Sequence, residues 1–230
     1  TLTFFTSEEA QTPTATIATE ASSETNANGD QLSWTATKTM DADDANGTVA
    51  FTIDYYDLAG NQGTQATAVL SGGNVTYDRT DPSANSIVVA SSNSNSSNYA
   101  MNGDVVSVTI NASEDLQSNA GLSPYGISSA TIAGQAISAG NISAITSTQW
   151  KVSYTMDGDE SDGATSYAFT MADEAGNTAT VTSAGSNVVI DNTAPTLSAV
   201  TIASNNTNDS YAKVGDVITL SITSTEDLTA

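Results

Sequence analysis

The segment Asp191-Asn192-Thr193-Ala194-Pro195 divides the chain, and it has an earlier counterpart in Asp78-Arg79-Thr80-Asp81-Pro82. Each segment follows an alternating apolar run, and each is followed by a similar sequence. Residues 87–93 after the first segment correspond to residues 200–206 after the second. We therefore interpret both segments as joints between tandem repeats.

The repeat length sets the domain boundaries. Asp191 lies 113 residues after Asp78, and a period of this length corresponds to a whole domain rather than to one unit of a solenoid. The predicted domains are 1–78, a repeat that lacks its first strand; 79–191, a complete repeat; and 192–230, the N-terminal part of a third repeat.

The composition narrows the classes of function. The 230 residues include no cysteine and no histidine, and the 4 Lys and Arg against 26 Asp and Glu give a net charge of −22. The absence of Cys removes thiol nucleophiles and zinc sites, and the absence of His removes the commonest general base, so we expect no enzyme. The excess of carboxylates repels phosphate groups, so we expect neither nucleic acid nor anionic membrane as a partner.

The apolar residues predict strands rather than helices. Six segments of the second repeat either alternate between apolar and polar residues or are rich in strand-forming residues. They are 87–90, 105–110, 130–133, 150–156, 167–171 and 178–182, and the last continues at 187–191 after a Gly/Ser break. Short strands separated by Gly- and Asn-containing turns predict an antiparallel β-sandwich of about seven strands per repeat. Trp34 and Trp150, at corresponding positions, are expected to be core residues.

Four motifs in a fixed order carry a family resemblance. They are Asp-Asn-Thr-Ala-Pro at 191–195, Gly-Asp-Val at 215–217, Ser-Glu-Asp-Leu at 113–116 and Asp-Glu-Ala-Gly-Asn at 173–177. The chain resembles the bacterial immunoglobulin-like repeats of giant extracellular surface proteins and adhesins. The resemblance implies Greek-key sandwiches outside the cell, serving as a stalk or filament. Its expected partners are neighbouring repeats and other copies in a filament or surface layer.

A second function remains open from the residues alone. A module of this kind could recognise a carbohydrate or a protein receptor through its loops. The loops of successive repeats are polar and similar to one another, whereas a receptor-binding repeat is expected to have divergent, aromatic-rich loops. The sequence therefore favours the stalk.

Acidic residues are predicted to gather at the joints. In a sandwich of this type the loop 113–116 and the hairpin 173–177 lie at the pole where the chain enters, and the acidic loop 157–163 lies at the exit pole beside Asp191. Stacking in tandem gives these candidates at the first joint: Asp41, Asp43 and Asp44 from the first repeat, Asp78 and Asp81 from the joint, and Glu114, Asp115 and Asp173 from the second repeat. Asp191 is the candidate at the second joint.

Such a cluster predicts a cation. Unit charges about 4 Å apart repel by roughly 1 to 4 kcal/mol at surface dielectric values, and calcium accepts about six to eight hard oxygen ligands in flexible geometry. The acidic loops 41–47 and 157–163 are further candidate calcium sites. The alternative is that these acids are solvated surface groups and hairpin caps. Pro82 and Pro195 are predicted to stiffen the joints with or without a metal.

Overall fold

The computed structural model describes residues 1–119 and 125–228. These residues form an all-β structure with a single 3₁₀ turn, Ala139–Asn141, and no α-helix. None of the described residues belongs to a helix of the length and hydropathy needed to span a membrane. Nearly all of their strand pairs are antiparallel, which confirms the prediction of an all-β fold of antiparallel sheets.

The first repeat contains three small sheets. Its strands are β1 Leu2–Phe5, β2 Thr14–Ile17, β3 Glu20–Ala21, β4 Ser23–Asn26, β5 Ser33–Thr37, β6 Gly47–Thr48, β7 Phe51–Asp54 and β8 Thr76–Tyr77. They pair in the orders β1-β5-β4, β3-β2-β7 and β6-β8. The β6-β8 pair brings the acidic loop 41–47 next to the end of the repeat.

The described residues of the second repeat, 79–119 and 125–191, form two four-stranded sheets and a three-stranded one. Its strands are β9 Ala84–Ser91, β10 Tyr99–Ala100, β11 Val105–Ala112, β12 Ile127–Ile132, β13 Gln135–Ala136, β14 Ile142–Ala144, β15 Gln149–Thr155, β16 Gly163–Ala164, β17 Tyr167–Ala172, β18 Thr178–Ser183 and β19 Val189–Ile190. The orders are β14-β15-β11-β9, β13-β12-β17-β18 and β10-β19-β16.

The core of the second repeat lies between its two four-stranded sheets. Alternation along β11 points Val108 and Ile110 inward, because successive side chains of a strand face opposite sides. They share one buried cluster with Trp150 from the same sheet and with Phe169 and Met171 from the other sheet. Trp150 is fully buried and Trp34 is only 3% exposed, which confirms the prediction that both are core residues.

The first repeat has a separate core. Its buried cluster consists of Ala15, Ile17, Ala36 and Ile53. Among the described residues, no strand pairing and no buried cluster joins one repeat to another. Each of the first two repeats therefore buries its own apolar surface.

Corresponding residues occupy corresponding ladder positions. Phe4 lies opposite Trp34 in the first repeat, as Ile110 lies opposite Trp150 in the second. Each indole Nε1–H donates to a backbone carbonyl three residues earlier, at 3.3 Å for Trp34 and 3.2 Å for Trp150. The sequence repeat is thus reproduced in the registers of the strands.

The third repeat begins with the same pair of strands. β20 Leu197–Ser204 and β21 Ile218–Ser224 are antiparallel. Leu220 lies opposite Ile202, as Val108 lies opposite Val89 in the second repeat. The side chains of β20 and β21 are mostly exposed.

The structure differs from the predicted strand pattern at the end of the second repeat. The predicted last strand, 178–182 continuing at 187–191 after a Gly/Ser break, is two separate strands: β18 pairs with β17, whereas β19 lies in another sheet and pairs in parallel with β10. The division falls at Gly185, whose carbonyl accepts a hydrogen bond from the Ser183 hydroxyl at 2.8 Å. Several short strands of two or three residues also lie outside the expected seven, because periodicity is not detectable over so few residues.

Candidate functional site

Two loops of the second repeat meet at its entry pole. Leu116 and Asp173 form an isolated antiparallel bridge, so the loop 113–116 and the hairpin 173–177 are adjacent, as predicted. Leu116 is fully buried and Asp173 is only 2% exposed. The apolar anchor therefore holds an acidic side chain at a nearly buried position.

Hydrogen bonds within the hairpin fix the Asp173 carboxylate. Its Oδ1 accepts the backbone N–H groups of Gly176 at 2.7 Å and Asn177 at 2.9 Å, and its Oδ2 accepts the Asn177 side-chain amide at 2.7 Å. Gly176 has a φ of +94°, a conformation that glycine adopts without the strain of a Cβ. The hairpin sequence Asp-x-Ala-Gly-Asn is thus a rigid support for one carboxylate.

Asp78 is in contact with both repeats. Its Oδ1 accepts the backbone N–H of Thr80 at 2.9 Å and the side-chain amide of Asn46, in the first repeat, at 3.3 Å. Its backbone carbonyl accepts the side-chain amide of Asn177, in the second repeat, at 3.2 Å. The joint is therefore held from both sides at one residue.

Three carboxylates converge at this place. One oxygen atom from each of Asp78, Glu114 and Asp173 lies within 4.8 Å of the other two, and among the residues that the structure describes no other such acidic group of three is found. Partial burial, followed by the charges of Asp78 and Asp173, raises the pKa of Glu114 above its ordinary value. The structure thus brings together three of the predicted ligands, one from the joint and two from the second repeat.

The other predicted ligands of this joint lie outside the acidic triad, as Asp78, Glu114 and Asp173 are called below. Asp81 and Asp115 are exposed. In the first repeat, Asp41 and Asp43 are also exposed, and Asp41 Oδ1 accepts the backbone N–H of Asp43 at 2.9 Å. These contacts match the alternative reading of solvated acids and turn caps.

Asp44 has a different role from the predicted one. Its carboxylate accepts Lys38 Nζ at 2.6 and 2.5 Å and the backbone N–H of Asp41 at 2.8 Å. The side chains of Lys38 and Asp44 are 6% and 1% exposed. The hydrogen bond from Lys38, more than any other interaction, lowers the pKa of Asp44. Asp44 is thus neutralised by a cation of the chain itself, and it fixes the shape of the loop 41–47.

The acidic loop of the second repeat is also internally bonded. Glu160 accepts the backbone N–H groups of Asp157 at 3.2 Å and Gly158 at 3.1 Å, and the Tyr154 hydroxyl donates to Asp157 at 3.0 Å. Partial burial, followed by the bond to Asp157, raises the pKa of Tyr154 to about 12. The Asp157 and Glu160 carboxylates of this loop therefore act as turn caps.

Asp191 occupies the same place at the second joint as Asp78 at the first. Its Oδ1 accepts the backbone N–H of Thr193 at 3.1 Å, and its own N–H donates to the Ala100 carbonyl at 2.9 Å. The next residue, Asn192, donates its backbone N–H to Asp162 at 2.8 Å. The loop 157–163 therefore lies beside Asp191, as predicted.

Sequence reasoning missed the amides that organise the first joint. Asn46 and Asn177 were not among the candidates, although each had a signal in the sequence. Asn177 ends a hairpin motif that occurs twice, and Asn61, its counterpart, makes the same bonds to Asp57 at 2.8 and 2.6 Å. Asn46 precedes a glycine that recurs as Gly163 in the next repeat.

Comparisons with protein-family models, with curated proteins and with solved structures gave no match to this chain.

Proposed function

We propose that the chain is a segment of an extracellular stalk, built from tandem immunoglobulin-like sandwiches of a long repetitive surface protein, adhesin or filament. The supporting observation is that each of the first two repeats has its own sheets and its own core, with no strand shared between them in the described residues. Its role is mechanical, since separate cores linked in series provide reach.

The joint supports this role because it is short and bonded on both sides. Asp78 accepts hydrogen bonds from Asn46 of the first repeat and Asn177 of the second. The guanidinium of Arg79 also donates to the Ala42 carbonyl of the first repeat. A joint with such contacts transmits orientation from one repeat to the next, which a flexible linker does not do.

The charge of the chain fits an exposed polymer. A net charge of −22 in 230 residues causes repeats and neighbouring chains to repel one another, which keeps a long array soluble and extended. The proposed partners are adjacent repeats of the same protein and other copies in a filament or surface layer.

The arrangement is tested by small-angle X-ray scattering on the whole chain. A compact protein of this length has a radius of gyration of about 17 Å. Repeats about 40 Å long, from strands of six to eight residues plus loops, placed end to end give roughly 25 to 30 Å. A measured value near that of the compact sphere contradicts the stalk.

We further propose that the acidic triad holds calcium. Its members supply three hard oxygen ligands from two sides of the joint, and calcium completes its shell with carbonyl oxygens and water. Asp173 is pre-positioned by its hairpin. Burial, followed by the charges of Asp78 and Asp173, raises the pKa of Glu114, and a bound cation would offset the repulsion among these three charges. Isothermal titration with calcium tests this proposal, with binding in the range of about 0.1 to 1 mM expected of extracellular modules. An absence of heat up to 10 mM calcium, at two temperatures, contradicts it.

A further inference from the structure

The start of each joint is held by hydrogen bonds, here called a clasp, from the acidic loop of the repeat before it, which is 41–47 at the first joint and 157–163 at the second. At the first joint, Asn46 Oδ1 accepts the backbone N–H of Arg79 at 3.3 Å, and its Nδ2 donates to the Thr80 hydroxyl at 2.5 Å. Thr80 N–H also donates to Asp78. Residues 78–80 are therefore bonded to the first repeat and are expected to move with it.

The second joint repeats this clasp with a different residue. Asp162, the counterpart of Asn46, accepts the backbone N–H of Asn192 at 2.8 Å and the hydroxyl of Thr193 at 2.6 Å. Thr193 N–H donates to Asp191, as Thr80 N–H does to Asp78. The two joints therefore use the same contacts, although the clasping side chain is an amide in one and a carboxylate in the other.

The end of each joint is clasped by the repeat that follows. Ser83 N–H donates to the Ser113 hydroxyl at 2.9 Å, and Ser113 N–H donates to the Ser83 carbonyl at 2.8 Å. Thr196 and Thr225 make the same two bonds at 2.9 and 2.8 Å. From Ser83 and Thr196 onward, the chain belongs to the next repeat.

Two residues remain between the clasps at each joint: Asp81-Pro82 at the first and Ala194-Pro195 at the second. We infer that bending of the array is confined to these two-residue hinges, and that Asn177 is a positioning residue that straps the first hinge closed without a cation. Because proline fixes its own φ, about three backbone torsions remain free in each hinge.

The strap is the bond from Asn177 Nδ2 to the Asp78 carbonyl at 3.2 Å. It spans the hinge, since Asp78 is clasped to the first repeat and Asn177 lies in the hairpin of the second. The Asp173 carboxylate orients the same amide at 2.7 Å. An amide–carbonyl bond needs no metal, so it opposes the mutual repulsion of the acidic triad when calcium is absent.

This inference rests on the proposed end-to-end stalk, and the following experiment separates the two. The chain has no native cysteine, so spin labels at Thr25→Cys and Ser143→Cys report only the distance between the first two repeats. Both positions are exposed and lie on corresponding strands, β4 and β14. Double electron–electron resonance is measured with EDTA on the whole chain, in parent and variants.

The expected result is a broader distance distribution in Asn177→Ala than in the parent. Loss of one net hydrogen bond corresponds to a roughly two- to tenfold larger open population. Asn61→Ala is the matched control, since it removes the equivalent side-chain bond to Asp57 in the first repeat without touching this hinge. Pro82→Gly, which leaves Asn177 intact, is also expected to broaden the distribution.

Each outcome bears on one claim. Distance distributions of equal width in the parent and in Asn177→Ala contradict the strap. A broadening in Asn61→Ala equal to that in Asn177→Ala also contradicts it. An unchanged width in Pro82→Gly overturns the two-residue hinge. A narrow distribution with a mean far below one repeat length of about 40 Å shows repeats folded back on each other, which contradicts the stalk rather than the hinge.

Discussion

Replacing Glu114 by Gln separates the electrostatic cost of the acidic triad from its capacity to bind calcium. Glu114 has two carboxylate neighbours within 4.8 Å. Each repels it by about 1 kcal/mol at a water-like dielectric and by more in a less polar surrounding, with salt reducing the effect. Without calcium, we expect Glu114→Gln to stabilise the second repeat by about 1 to 2 kcal/mol.

Calcium is expected to remove this difference. At 10 mM calcium, a dissociation constant of about 0.1 to 1 mM corresponds to a stabilisation of about 1.4 to 2.7 kcal/mol. For a repeat of this size that is a rise of roughly 5 to 10 °C in the unfolding midpoint. The parent should show the rise. Glu114→Gln lacks one anionic ligand, so its unfolding midpoint should rise much less when calcium is added.

The measurement is thermal unfolding followed by tryptophan fluorescence. A Trp34→Phe background leaves Trp150 as the sole tryptophan, so the signal reports the second repeat. Asp115→Asn is the matched control, because Asp115 lies in the same loop, is exposed and is not part of the triad. An equal calcium response in the parent and Glu114→Gln refutes the reasoning.

The pH dependence of the calcium-free protein gives an independent check. The pKa of Glu114 is raised in the folded state, so its destabilising effect is absent below the ordinary carboxyl pKa. The destabilisation grows as pH rises from the ordinary carboxyl pKa to the raised folded value, because over that window the unfolded chain releases a proton that the folded chain keeps, and it is complete above the folded value. The stability gained by Glu114→Gln should therefore be full at pH 7 and disappear near pH 4.

Two further predictions concern the cores and the loops. Gly126→Ala should destabilise the second repeat by about 1 to 3 kcal/mol in urea unfolding, because a Cβ would lie 2.6 Å from the Trp150 ring; Gly140→Ala, with open space around it, should have little effect. Lys38→Met should lower the unfolding midpoint at pH 7 by leaving the buried Asp44 carboxylate without its cation. Since the pKa of Asp44 is lowered in the fold, this difference should disappear as pH falls through that lowered value; a midpoint difference that is constant with pH contradicts the ion pair.

Much of the fold and part of the site could be predicted from the sequence, because they depend on local patterns. Alternation predicted the principal strands, since the period of side-chain direction in a strand is two. Chain order predicted which loops share a pole, and this brought Glu114 and Asp173 together correctly. The split between β18 and β19 was not predictable, because a Gly/Ser break does not specify which sheet the next residues join.

The partners of polar side chains were the least predictable feature. Asp44 looked like another acid of the joint, but it pairs with Lys38 six residues earlier in a geometry that only the folded loop defines. Asn46 and Asn177 carry no charge pattern that sets them apart from other asparagines in this Asn-rich chain. Their importance follows from contacts with residues 78–80 across long separations in sequence.

By itself, the sequence determined the β-forming alternation, the internal repetition at a period of about 113 residues and the acidic segments at Asp78 and Asp191, because composition and periodicity are one-dimensional properties. The tertiary structure decided which acids converge, which are neutralised, and where the hinge lies within each joint. It did so because hydrogen bonds and charge interactions extend only a few ångströms, and folding alone sets those distances between residues such as Asp78 and Asn177.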